Sequence, residues 1–325
     1  MTLSRLHALI EEGHFVVCAE MAPPKGADPA AVSRKAAYFR DVVDAVNTTD
    51  NQSAAVRMSS QAAAALLVRE GIEPIMQMTC RDRNRLGLQG DVLGAAALGV
   101  RNILCLTGDH QRLGDHPGAK GVFDLDSLQL IRTVRTLRDQ GKLLSGDPVK
   151  PPPGVFVGAV ENPFADPFEF RATRLAKKVA AGAEFIQTQA VFDIARFSRW
   201  MAMVRDMGVH ERAAILAGVL PPRSPKVLNY MKREVSGVSI PDELIRRMES
   251  AAKPDEEGIS ICCELIERLR EIPGVRGIHL MPVNWESVTP EIAKRAGLLP
   301  RPAPSASALS SSTETATQRP AGVAS

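Results

Sequence analysis

The sequence predicts an α/β protein built as a (β/α)₈ TIM barrel, and three observations carry that reading. Eight short apolar or β-branched runs alternate with amphipathic stretches of helical period. The runs are apolar on nearly every residue, as strands of a parallel sheet covered by helices must be. Each run also ends in polar residues. A doubly wound open sheet would gather such residues at one switch point, whereas here they are spread around all the units.

In chain order the predicted strands are 14–20, 43–49, 73–79, 101–107, 155–161, 184–190, 213–219 and 277–283. Helices are predicted near 29–40, 59–70, 86–98, 126–139, 167–181, 194–207, 224–233 and 287–296. Two extra helices, near 242–252 and 257–271, lengthen the connection before the last strand. The fifth helix has a predicted start, with Asp166 as N-cap, Pro167 at the first helical position and Glu169 in an acidic first turn. Gly182 is suited to a left-handed cap at its end. The prolines at 151–153 read as a rigid connector into the fifth strand. Residues 1–300 are expected to form one catalytic domain. Residues 301–325, rich in Ser, Ala and Pro without periodicity, are expected to be a disordered tail.

The composition is that of a globular chain: 325 residues, 45% hydrophobic and 24% charged. A net charge of +3 and 4% aromatic residues give neither the field nor the stacking platforms expected of a nucleic-acid or membrane-surface binder. Five cysteines at 18, 80, 105, 262 and 263 show no metal or disulfide spacing and read as reduced thiols of a cytoplasmic protein. The first residues lack the apolar stretch of a signal peptide, and no run is long enough to span a bilayer.

A barrel of this kind carries its chemistry where strands end and the next loops begin. The polar residues there are Glu20, Thr48 to Asn51, Gln77, Thr79, Thr107, Gly108, Asp109, Glu161, Asn162, Gln187, Gln189, His279 and Asn284. Glu20, among apolar neighbours, reads either as a general acid or as a buried carboxylate paired with a Lys or Arg. Asp109 follows a glycine that allows close approach of a ligand; its alternative is the cap of a short helical turn. Gln187 and Gln189 lie two apart, on one side of their strand, and need a ligand or water to satisfy them. Three arginines in TCRDRNRLG (79–87) suggest an anion contact or an ion-paired loop. His110 and His116 lack a third ligand at fixed spacing, so no metal is expected.

Several segments together resemble the methylenetetrahydrofolate reductases, flavin-dependent barrels of one-carbon metabolism. They are AEMAPPKG (19–26), NTTDNQ (47–52), QMTCRDRNR (77–85), LTGDH (106–110), KKVAAGAEFIQTQAVFD (177–193) and GVLPP (218–222). The wording TCRDRNR and LTGDHQ is most similar to the branch found beside corrinoid and acetogenic systems. The resemblance implies reduction of 5,10-methylenetetrahydrofolate to 5-methyltetrahydrofolate, a step that feeds methionine biosynthesis, with hydride from flavin N5. It places the family's acid on Glu20, its electrostatic aspartate on Asp109 and its folate-contacting glutamine on Gln189. Flavin contacts fall on Thr48, Gln77, Gly108, Asp109 and Lys178; the bare pattern leaves Lys178 as a phosphate contact or part of a solvated helix face. The cofactor implied is FAD, with FMN as the variant suggested by Arg171, Arg174, Val160 and Phe164 at the adenylate end. An aromatic residue expected near the seventh loop is Pro225, with Phe192 as a substitute platform. The donor is then NAD(P)H or an electron-transfer partner protein, and an oligomer is expected. The competing reading is a non-redox folate-binding subunit of a methyl-transfer complex.

Overall fold

In the computed structural model, which describes residues 3–235 and 237–305, eight parallel strands close into a barrel in sequential order. They are β1 (Val16–Met21), β2 (Ala45–Thr48), β3 (Pro74–Thr79), β4 (Asn102–Leu106), β5 (Phe156–Glu161), β6 (Phe185–Ala190), β7 (Ala214–Val219) and β8 (Val275–Leu280). β1 pairs β8 with Cys18 opposite His279, and this pairing completes the ring. The predicted (β/α)₈ architecture is therefore the observed one, each strand lying within a few residues of its predicted run.

The helices are α1 (Arg5–Glu11), α2 (Pro29–Ala36), α3 (Ser60–Arg69), α4 (Arg85–Ala97), α5 (Ser127–Arg135) and α6 (Phe170–Ala181). They continue with α7 (Ile194–Asp206), α8 (Pro225–Glu234), α9 (Asp242–Ser250), α10 (Pro254–Arg270) and α11 (Thr289–Arg295). The two extra helices before the last strand are α9 and α10. The start predicted for the helix after β5 is not the one observed. α6 begins at Phe170, and the Asp166 side chain is almost wholly exposed instead of capping. The Arg171 guanidinium donates to the carbonyls of Ala165 and Asp166, so the preceding turn is closed by a side chain from the helix itself. At its other end Gly182 takes the positive φ expected of it.

Strand alternation divides the side chains into two sets. One set packs outward on the helices as the main core; the other fills the barrel. The lower interior is apolar: Val16, Ile75, Leu104, Phe156, Phe185 and Leu216 meet Leu6 and Leu9 of α1, which plugs the base. The His7 ring stacks on Phe156 at 4.3 Å, and Phe156 on Phe185 at 5.0 Å. Gly158 makes that column possible, since a Cβ there would stand 2.2 Å from the Phe185 ring. α1 was not anticipated, because its stability comes from contacts far along the chain. Glu73 accepts the backbone N–H groups of Arg5 and Leu6, supplying the anionic cap that a helix start favours.

The two ends of the described chain meet at this base. The buried Asp44 carboxylate accepts from Val17 N–H at 2.8 Å and is flanked by the guanidiniums of Arg5 and Arg301. Arg301 also donates to the carbonyls of Phe15 and Leu298, and Ser305 donates to Glu12. Residues 301–305 of the expected tail thus lie against the barrel; residues 306–325 fall outside the described residues. Replacing Asp44 by Ala leaves the Arg301 charge buried without its counter-ion. Removing one member of such a pair typically costs about 3–5 kcal/mol. Urea denaturation should show Asp44→Ala to be less stable by that order, and an unchanged midpoint would contradict the assignment.

Candidate active site

The upper interior of the barrel is polar. Glu20 follows Cys18 by two residues and shares its inward direction, as Asn47, Gln77, Gln187 and His279 share those of the residues two before them. Asn47 and Gln187 face each other across the lumen as a reciprocal amide pair, at 2.7 and 3.0 Å, both fully buried. Gln187, expected to await a ligand, is thus satisfied within the protein. The pair forms a floor, with the Cys18 thiol beside it raised well above its ordinary pKa by burial and then by Asp44 and Glu73.

Above that floor Glu20, next to last in β1, has a side chain 19% exposed, and His279 Nε2 lies 3.3 Å from its Oε2. The Lys or Arg pair open from the sequence is not the one found; the neighbour is an imidazole. The other ring nitrogen, Nδ1, is buried with no hydrogen-bond partner among the described residues. Gln77 is half-buried at the end of β3. Gln189 sits where the β6–β7 register shifts, and its side-chain amide oxygen Oε1 accepts from the Ala190 N–H. Gly218 lets β7 approach this bulge, because a Cβ would fall 2.3 Å from the Thr188 carbonyl oxygen.

Asp109 is exposed on the loop after β4, its carboxylate accepting the Ser53 N–H at 3.0 Å. It is not the cap of the short turn that follows; His110 is, through Nδ1 and the Arg112 N–H. Gly108 takes φ of +91° and packs on Thr79 and Arg81. The arginine-rich loop resolves into ion pairs: Arg81 with Asp82, Arg83 with Asp50 and Asp91, Arg85 with Asp124. The Arg85 guanidinium holds the Asp124 carboxyl down at about 2. Arg81 further donates to the carbonyls of Asn51 and Asp109, tying two rim loops together. His116 pairs with Asp115, which accepts from the Val56 N–H.

Two of the expected flavin contacts have partners within the protein. Thr48 alternates outward from Asn47, and its buried hydroxyl donates to the Ser60 carbonyl of α3. Lys178 belongs to neither of the surfaces expected for it. Its ammonium, 5% exposed, donates to the Val160 carbonyl and pairs with buried Glu161 at 2.8 Å. Burial lowers the Lys178 pKa, against the upward pull of Glu161. On the same face of α6, Arg174 is half-buried and has no hydrogen-bond or ion-pair partner among the described residues.

Phe192 is buried in the core and offers no platform. Pro225 occupies the first position of α8, behind the Ser224 cap. An aromatic ring follows β8, that of Trp285, with the Arg223 guanidinium 4.9 Å from its centroid. Neither residue was singled out from the sequence, because the signal is a pairing across 62 positions of chain rather than a local motif.

A family model described as methylenetetrahydrofolate reductase matches residues 5–297. A probable methylenetetrahydrofolate reductase (NADPH) of Caenorhabditis elegans is 26% identical over 301 residues, 91% of this chain and 40% of that protein. Methylenetetrahydrofolate reductase 2 of Schizosaccharomyces pombe is 28% identical over 237 residues, 70% of this chain and 36% of that one. The chain therefore spans well under half the length of these relatives. Among solved structures, an uncharacterized protein from Clostridium thermocellum that binds two copies of 5-methyl-5,6,7,8-tetrahydrofolic acid has a TM-score of 0.61. It is 15% identical, over 91% of this chain and 99% of that one, so the likeness is one of fold. No helix among the described residues is long and apolar enough to cross a membrane.

The amide floor yields its own test. Asn47→Ala strands the buried Gln187 amide, a loss of about 1–3 kcal/mol. Thermal or chemical denaturation should register it, and the double replacement of both amides by Leu should recover part of the loss.

Proposed function

Because the chain belongs to the methylenetetrahydrofolate reductase family, we propose that it reduces 5,10-methylenetetrahydrofolate to 5-methyltetrahydrofolate. The observation that carries this reading is Glu20 at the C-terminal mouth, semi-exposed, above a sealed floor and against His279. A carboxyl group so placed has one face open to a ligand and a neighbour that fixes its orientation.

In the bridge between N5 and N10, cleavage of the C–N10 bond leaves N10 in need of a proton and the carbon as an N5-iminium cation. Glu20 supplies that proton, a role that typically contributes about 10²–10⁴-fold. The Asp109 carboxylate favours the cation electrostatically. Addition of hydride to the iminium carbon completes the methyl group, so that one proton and one hydride are consumed. Gln189 orients the folate through its amide NH₂, which has no partner among the described residues.

A flavin, FAD in this reading, supplies the hydride when bound, drawing electrons from NAD(P)H or an electron-transfer protein. The fit of such a group is supported by the half-buried Gln77 amide, which has no partner among the described residues, and by the unpaired Arg174 guanidinium. Gln77, Gly108 and Asp109 would hold the ring, and Arg174 the phosphate. Lys178 acts behind Arg174, its charge already balanced by Glu161. The visible spectrum of purified protein, followed by acid release of the chromophore, tests the cofactor directly.

Glu20→Gln tests the acid. The isostere keeps shape and hydrogen bonding but cannot supply the proton. Formation of 5-methyltetrahydrofolate should fall by about 10²–10⁴-fold while the affinity for 5-methyltetrahydrofolate is retained. Near-normal turnover in the variant would remove Glu20 from the role.

A further inference from the structure

We infer that a cavity at the base of the barrel is a second binding site, one that takes a small monocarboxylate with an apolar or aromatic body through the Arg270 guanidinium. This site lies on the face opposite Glu20 and stands apart from the folate reading.

The cavity has a volume of about 230 Å³, room for a ligand of one ring and below the usual range of drug-sized sites. Its wall comes from three stretches distant in sequence: His14 and Phe15 before β1, Arg270 at the end of α10, and residues 297–302 after α11. The last stretch is fastened in place. Arg301 donates to the carbonyls of Leu298 and Phe15, and Arg5 donates to that of Pro302 at 2.7 Å. Leu298 is buried and Leu299 is 38% exposed. With Phe15 and the prolines at 300 and 302, they give the cavity an apolar side.

Arg270 supplies the polar side. Its guanidinium lies 5.5 Å from the centroid of the Phe15 ring, a contact that parks the charge at the edge of the cavity. Its hydrogen bond to the Ala296 carbonyl is long, at 3.5 Å, and it has no ion-pair partner among the described residues. Two carboxylates of this face are already engaged: Asp44 by Arg5 and Arg301, and Glu12 by Ser305 and His14. No acidic residue lines the cavity among the described residues, so the Arg270 charge there is uncompensated. A planar carboxylate matches a guanidinium fork through paired N–H donors. The body of such a ligand lies on the leucine and proline side chains, a contact that a bare phosphate forgoes.

The test titrates the full chain with benzoate, with its neutral isostere benzamide and with inorganic phosphate, by ligand-observed NMR. Circular dichroism confirms that each variant is folded. Benzoate should bind one-to-one with a Kd of about 0.1–1 mM, a range open to a one-ring ligand. Benzamide and phosphate should each bind about 10-fold more weakly or worse, one for want of charge and the other for want of an apolar body. Arg270→Met, which keeps the stem over Phe15 and removes the fork, should lose the preference for benzoate over benzamide. Arg270→Lys should recover only part of it. Glu20→Gln, at the mouth, should leave benzoate binding unchanged, and 5-methyltetrahydrofolate should not displace benzoate. Failure of benzoate to bind, an unaltered preference in Arg270→Met, equal affinity for phosphate, or displacement by the folate would each overturn the site. A chain that binds benzoate through Arg270 and binds no folate keeps this site and loses the reductase reading.

Discussion

The interior of a closed eight-stranded barrel has room for few polar groups, and each of them must find a partner there. That constraint organises this molecule. The lower lumen is filled by α1, the Phe156–Phe185 column and aliphatic side chains, so an amide above it needs a partner from the protein. Asn47 and Gln187 meet the demand by bonding each other across the barrel. Polar groups above them belong to the mouth. Glu20, His279, Gln77 and Gln189 are therefore held by strands, with a rigid floor beneath, instead of by loops.

The rim is organised by charge. Arg81 binds the loops after β2 and β4 through two carbonyls while paired with Asp82, and Arg83 joins Asp50 to Asp91. Asp109 is fixed by the Ser53 N–H in the same network. Several cations on this side are thus spent on structure, whereas Arg174 on α6 has no ion-pair partner among the described residues and Arg223, after β7, has a loose one in Asp255. A ligand with separated negative groups would find its two ends distinguished by which cation remains free.

The barrel was legible in the sequence because strand periodicity and eightfold repetition are local signals. Glu20, Asp109, Gln77 and Gln189 were legible as strand-end residues for the same reason. Partners were not. Thr48 and Asn47 are adjacent, and only the closed lumen decides that the amide points in and the hydroxyl out. The fate of Lys178 depends on Glu161, 17 residues earlier on another element. α1 depends on Glu73, and Arg301 on Asp44, each across long stretches of chain. The start of α6 was misplaced because local capping rules compete with a guanidinium that closes the turn from within the helix.

The clasp of Asp44 between Arg5 and Arg301 brings the two ends of the described chain together. Its first helix and its residue 301 are joined by charge at the face opposite the mouth. In a chain ended at residue 305, a short peptide link there would close the backbone without crossing any strand or approaching Glu20. The exposed connections on the base side could then be opened instead, giving circularly permuted chains with the same ring order. Such permutants would separate two contributions that the native chain combines: the order in which the strands are made, and the electrostatic fastening that holds the ends once they have met.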